Sequence, residues 1–251
     1  MSKTIFYMLS GEMGSGKSTV ANHLSSLGYR VIKADDVAKS VLYSNSDTCK
    51  TISEILGNDV LLSDGSLNLR KIKSRIFNPN NHKMYLDFES YVTDKFGEFL
   101  RRNETPGAPY FVEIPPIETS WRIVPYVYTP TAFYIDVDKD EQRKRLYGRG
   151  LSDKDIDERL VYQNKKYIQD AFYTETVTGE GFDMFDEPYK RIAADIISRL
   201  SDEDRTNVFV DHIKKLPESA RNGLICSVYK TSARGCNGCP LQCKVGVYAS
   251  I

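Results

Sequence analysis

Leu9–Asp36, "LSGEMGSGKSTVANHLSSLGYRVIKADD", is the stretch on which the reading of the chain turns. Gly11 to Ser18 fits G-x-x-x-x-G-K-[ST] in full, after the short apolar run "TIFYML" (4–9). Behind it Val20, Leu24 and Leu27 recur at helical spacing, and Gly28 stands where a helix would end. Each part of this pattern answers to a phosphate. Glycines let the backbone wrap closely so that successive N–H groups point inward, and the helix that follows adds the positive end of its dipole. A lysine at position 17 reaches the β- and γ-phosphates, and the Ser18 hydroxyl is placed to ligate Mg²⁺. Gly11, Gly14, Ser15, Gly16, Lys17, Ser18 and Thr19 are therefore the expected nucleotide-binding residues, with ATP and Mg²⁺ as cofactors.

Moving outward, "YRVIKADD" (29–36), "YFVEI" (110–114) and "TAFYIDV" (131–137) read as three further strands, the buried kind with few polar positions. Helical patterns fill the intervals. The chain reads as helical from Val37 to about Leu62, in "LRKIKSRIF" (69–77), and from Tyr85 to Arg102, where Phe88, Val92, Phe96 and Leu100 are spaced by four. "YTETVTGEGFDMFDEP" (173–188) reads as an acidic flexible loop, and Tyr189 to Lys215 as mostly helical. Strands alternating with helices predict an α/β fold: a three-layer P-loop kinase-like arrangement with a parallel sheet, a helical acceptor part and a lid. Residues 1–200 form the expected core, with about 38–105 on the acceptor side and about 140–165 in the lid; 201–251 form a C-terminal extension.

Three features beyond the loop favour a small kinase over other phosphate-loop proteins. Asp35 and Asp36 stand at the carboxyl edge of the second strand, where ligands bind in open α/β sheets. Asp35 is the candidate to orient or deprotonate an acceptor hydroxyl; Asp36 reads as a helix N-cap. Glu113 ends the third strand, near where an acid assists Mg²⁺, and Glu118 follows in the next loop. Lastly, "QRKRLYGRGLSDKDIDERL" (142–160) carries Arg143, Arg145, Arg149 and Arg159 on two short helices joined at Gly150. Arg149, beside the joint, is the candidate to close over a transferred phosphoryl group. The alternative is a solvated face with pairs such as Asp155 and Arg159.

Taken together, "GEMGSGKSTVANHLSSLGYRVIKADDVAK", "LRKIKSRIFNP", "VEIPPIE" and "FYIDVDKDEQRKRLYGRGLSDKDIDERLVYQ" resemble the dephospho-CoA kinase family over roughly residues 4–165. The resemblance implies a P-loop kinase of the nucleoside-monophosphate-kinase type that phosphorylates the ribose 3′-hydroxyl of dephospho-CoA with ATP–Mg²⁺. It assigns Lys17, Asp35 and Arg149 as catalytic. The acceptor side departs from the family pattern. The family's Asp-Ala-Asp is Lys33-Ala34-Asp35, its Asp-Arg falls on Asn68-Leu69 with Arg70 beside them, and its His-Pro falls near Ser90-Tyr91. Lys33, Arg70, Glu113 and Glu118 are accordingly acceptor-side candidates. A nucleotide-type small molecule is the expected acceptor. The alternatives are a (deoxy)nucleoside monophosphate gripped by Lys33 and Arg70, or a hydroxyl on nucleic acid; a nucleotide-gated binding module is the non-enzymatic one.

Equal counts of 34 basic and 34 acidic residues leave no net charge to draw the chain to nucleic acid or an anionic membrane. No apolar run long enough to span a bilayer and no signal-like start are visible, so a cytoplasmic protein is expected. Four of the five cysteines crowd into "CSVYKTSARGCNGCPLQC" (226–243). Cys236 and Cys239 form half of a zinc knuckle that Cys226 and Cys243 would complete, a structural Zn²⁺ site that could also touch nucleic acid; the alternatives are an iron–sulfur cluster and free or disulfide-paired cysteines. Trp121 reads as a packing residue rather than a base-stacking one.

Overall fold

The computed structural model describes residues 5–42, 46–103, 109–128, 131–181, 185–201 and 204. Five strands form one wholly parallel sheet: β1 (Phe6–Ser10), β2 (Arg30–Lys33), β3 (Tyr110–Glu113), β4 (Ala132–Ile135) and β5 (Thr174–Val177), in the order β2-β3-β1-β4-β5. β1 is buried along its whole length. Its side chains alternate between two cores, as the two-residue period of a strand requires. Tyr7 and Leu9 meet Val20, Leu24, Ile196 and Ile197 on one face, while Phe6 and Met8 meet Val37, Phe96, Leu100 and Ile123 on the other.

α1 (Lys17–Ser26) and α9 (Pro188–Arg199) cover the first face. α2 (Ala34–Leu42) and α5 (His82–Arg102) lie on the second. α5 then runs on into a third cluster, where Tyr85, Phe88 and Val92 pack with Ile52 and Leu56 of α3 (Ser46–Leu56) and Ile72 and Ile76 of α4 (Leu69–Ile76). α6 (Lys139–Tyr147), α7 (Asp153–Leu160) and α8 (Lys165–Gln169) follow β4.

Some expectations are corrected. The stretch 37–62 is α2 and α3 followed by a 3-10 turn at Asn58–Val60, with Gly57 (φ 98°) separating the last two. The segment expected as a flexible loop opens with β5, a sheet-edge strand in which Val177 is fully buried. α9 ends at Arg199, where Leu200 turns to extended backbone; of the stretch expected to be mostly helical to Lys215, the residues from 205 on lie outside the described ones. Trp121 is 55% exposed, with the Arg122 guanidinium 5.3 Å above its ring, and so does not pack in the core. The cysteines at 226, 236, 239 and 243 lie outside the described residues. Among the described residues no helix is long and apolar enough to cross a membrane.

Candidate active site

The phosphate loop leaves β1 at the centre of the sheet, where the strand order reverses direction and a crevice opens. Its curvature rests on backbone that only glycine adopts cheaply: Gly14 and Gly16 have φ of 85° and 99°. Gly11 is also excluded from carrying a side chain, since a Cβ there would lie 2.6 Å from the Ile135 carbonyl oxygen. The loop is held from outside as well. The Gln142 side chain donates to the Met13 carbonyl (2.7 Å), Arg145 reaches the Gly14 and Ser15 carbonyls (3.4 and 3.3 Å), and Lys139 pairs with Glu12 (2.5 Å). From the far side the Met13 N–H donates to Gln163 Oε1 at 2.7 Å.

A cavity of about 200 Å³ is lined by Lys17, Ser18, Asp35, Glu113, Arg149 and Gln163 together with the loop backbone. Lys17 Nζ donates to the Glu12 carbonyl at 3.1 Å. Burial holds its ammonium below the usual lysine range and Arg149 adds to this, while Glu113 and Asp35 pull the other way. Ser18 donates to Glu113 Oε1 at 2.6 Å, and Glu113 Oε2 is buried with no hydrogen-bond partner among the described residues. A hydroxyl and a carboxylate oxygen left unpaired beside a phosphate loop are the hard donors that Mg²⁺ takes, so these residues fit the ion. Among the described residues no cluster of three or more His, Cys, Asp or Glu is grouped for a metal; the four cysteines expected to hold zinc lie outside them.

A second cavity of about 290 Å³ shares Met13, Asp35, Ile114, Pro115 and Gln163 with the first. Its walls are largely apolar and include five rings, Phe77, Tyr85, Phe88, Phe96 and Tyr162; the Tyr85 and Tyr162 rings stack 4.1 Å apart. Glu89 and Arg159 are the other charged side chains on its lining. Burial, with Asp35 opposite, pushes the Glu89 carboxyl up to about 7.

Position separates the expected site residues. Lys17, Ser18, Asp35, Arg149 and Glu113 converge on one cavity. Glu113 accepts from the Ser18 hydroxyl within that cavity. Lys33 is held on Asn22 at 2.5 Å, Arg70 is exposed in the first turn of α4, and Glu118 pairs with His82 at 3.5 Å; none lines either cavity. Asp36 is no N-cap, for α2 begins two residues earlier and Asp36 pairs with Lys39 on its exposed face. Arg143 is engaged by Asp153 and Asp157 and braces α6 against α7. Asp155, expected beside Arg159, closes a capping box with Ser152 instead. Reading the sequence alone gave no role to Gln163 or Glu89. For Glu89 there was a signal: a carboxylate four residues after Tyr85 and three before Val92 interrupts the apolar stripe of a helix.

A phosphate loop at the switch point of a parallel sheet, with Arg145 and Arg149 on one side and a second cavity beside an aspartate, defines a P-loop kinase. The family model for dephospho-CoA kinase matches residues 5–171, and the chain belongs to that family of ATP-dependent kinases. It is 36% identical over 109 residues to dephospho-CoA kinase of Aggregatibacter actinomycetemcomitans, covering 43% of this chain and 52% of that protein. With dephospho-CoA kinase of Photobacterium profundum it is 27% identical over 181 residues, covering 71% of this chain and 88% of the relative. A crystal structure from Thermus thermophilus shares the fold at TM-score 0.56 and 23% identity, covering 80% of this chain and all of that one.

Proposed function

We propose that the protein transfers the γ-phosphoryl group of ATP to the ribose 3′-hydroxyl of dephospho-CoA. The observation that carries this reading is the shared wall at Asp35, which lines both the phosphate cavity and the aromatic cavity beside it. An acceptor whose base lies in the aromatic cavity presents its ribose at that carboxylate, facing the phosphates in the loop.

The acceptor oxygen attacks the γ-phosphorus, the bond to the β–γ bridging oxygen breaks, and ADP leaves; Asp35 orients the hydroxyl and takes its proton. Lys17 and Arg149 offset the charge spread over the phosphoryl oxygens in flight. Ser18 and Glu113 would hold Mg²⁺, which when bound neutralises charge on the β- and γ-phosphates. Gln163 fixes the Met13 amide at the junction of the two cavities and keeps the loop in register with the acceptor.

The test is ADP release by the purified chain with ATP–Mg²⁺ and dephospho-CoA, using Lys17→Ala as blank. Turnover is expected, with the phosphate recovered on the acceptor's ribose. Asp35→Asn is expected to lower kcat by about 10²–10⁴-fold at nearly unchanged ATP KM. Turnover with nucleoside monophosphates and none with dephospho-CoA would refute the acceptor.

A further inference from the structure

Met13, Asp35, Ile114, Pro115 and Gln163 line both cavities, and of these Asp35 and Gln163 carry the hydrogen-bonding side chains. Gln163 is firmly seated at that junction. Its N–H donates to the Leu160 carbonyl at 2.9 Å, it faces Ile117 across an antiparallel bridge, and the next N–H, of Asn164, donates to the Pro116 carbonyl at 2.8 Å. The side chain is oriented as well. A backbone N–H only donates, so the atom 2.7 Å from the Met13 nitrogen is the amide oxygen, and the amide nitrogen is turned the other way. That nitrogen makes no hydrogen bond among the described residues and is not enclosed. An amide pinned by its oxygen to the phosphate loop therefore keeps two N–H donors for a ligand at the junction.

We infer that Gln163 is a substrate-positioning and specificity-determining residue, whose Nε2 donates to the hydroxyl next to the reacting one on the acceptor's ribose. This rests on the reading above, in which the 3′-hydroxyl lies at Asp35. A ribose carries a 2′-hydroxyl on the adjacent carbon, able both to donate and to accept. With the reacting oxygen at the carboxylate, that neighbour falls to the other hydrogen-bonding side chain of the shared wall. The two contacts differ in kind. Asp35 accepts from the hydroxyl it deprotonates, whereas Gln163 donates to a hydroxyl that keeps its proton. One contact leaves the sugar free to turn about it; contacts on adjacent carbons remove that freedom and hold the reacting oxygen toward the phosphates in the loop. The loop shares in this, because the same amide accepts from the Met13 N–H. One side chain thus sets the acceptor's sugar and the phosphate loop in a common frame.

The experiment compares kcat/KM for dephospho-CoA and for its 2′-deoxyribose analogue in the wild type, Gln163→Met and Gln163→Leu, at saturating ATP–Mg²⁺. Both variants remove the donor, and methionine keeps the unbranched shape. Loss of the 2′-hydroxyl also changes the sugar itself, but that part is common to all three proteins and cancels in the cycle. The wild type is expected to prefer the ribose acceptor by about five- to tenfold more than either variant does, the worth of one neutral hydrogen bond. Loss of the bond to Met13, by contrast, lowers the rates with both acceptors alike and leaves their ratio where it was. Equal preference in wild type and variants therefore overturns the inference, leaving Gln163 as a prop for the loop while the kinase reading stands. A wild type that uses the deoxyribose analogue as well as dephospho-CoA overturns it too, whether or not either variant folds. A wild type inert toward dephospho-CoA overturns both readings, and is told apart because it fails before any ratio is taken.

Discussion

Arg149 and Lys17 bring two positive charges into a cavity that also holds Asp35 and Glu113. Without phosphate, burial and Arg149 lower the lysine while Glu113 and Asp35 support its charge. A triphosphate in the loop replaces that balance with direct partners. Arg149 lies just past α6, its N–H bonded to the Leu146 carbonyl at 3.0 Å, at the edge of the lid rather than in the loop. It is therefore expected to act on the phosphoryl group in transfer more than on bound ATP. Arg149→Ala should lower kcat by about 10³-fold or more while the ATP dissociation constant moves only a few-fold, read by initial rates and by nucleotide titration. Arg149→Lys should recover little, because a point charge does not reproduce the planar fork. In the sequence the four lid arginines looked alike: 143, 145, 149 and 159 share one charged stretch. Three-dimensional neighbours sort them into a brace on Asp153 and Asp157, a loop anchor on Gly14 and Ser15, a cavity cation and a ring cover. Those partners lie 10 to 131 positions away for the first two, a distance that local pattern does not carry.

α4 shows how an element keeps its shape while its chemistry drifts. Where the family pattern has an acid, Asn68 stands at the helix N-cap and its side chain accepts from the Lys71 N–H at 3.1 Å. That satisfies one of the orphan amides of the first turn. Further along, Arg75 grips Asp59 with both nitrogens, at 2.7 and 2.8 Å, and also donates to the Leu56 carbonyl at the end of α3. Arg75 thus ties α4 to the end of α3 and to the turn that follows it. Asn68→Ala should cost about 1 kcal/mol, seen as a lower urea midpoint at constant m, whereas Asn68→Asp should be neutral or slightly stabilising beside the helix dipole. Elements with strong patterns were legible: β1 with its five buried positions, α1 behind the glycine loop, and α5 with its period-four aromatics. β5 was not, because a four-residue edge strand with one buried side chain, set in acidic and glycine-bearing sequence, has no apolar run to announce it.

The phosphate loop is the point at which the sheet, α1, α6 and the stretch after α7 meet. β1 feeds it, α1 leaves it, α6 holds it through Gln142 and Arg145, and Gln163 ties it to the chain beyond α7. A ligand bound in the loop therefore braces every layer at once, and its binding free energy becomes folding stability for the whole unit. ATP–Mg²⁺ at about 100 times its dissociation constant should stabilise the protein by about 2.7 kcal/mol and raise Tm by about 5–10 °C for a chain of this size. Lys17→Ala should abolish the shift. Its nucleotide-free form should melt no lower than the wild type, because the substitution removes an ammonium whose burial is unfavourable. Differential scanning fluorimetry across an ATP series reads both quantities in one experiment. A shift that persists in Lys17→Ala would place nucleotide binding elsewhere. A nucleotide-free variant that melts several degrees low would mean that the Lys17 bond to the Glu12 carbonyl holds the loop together before any phosphate arrives.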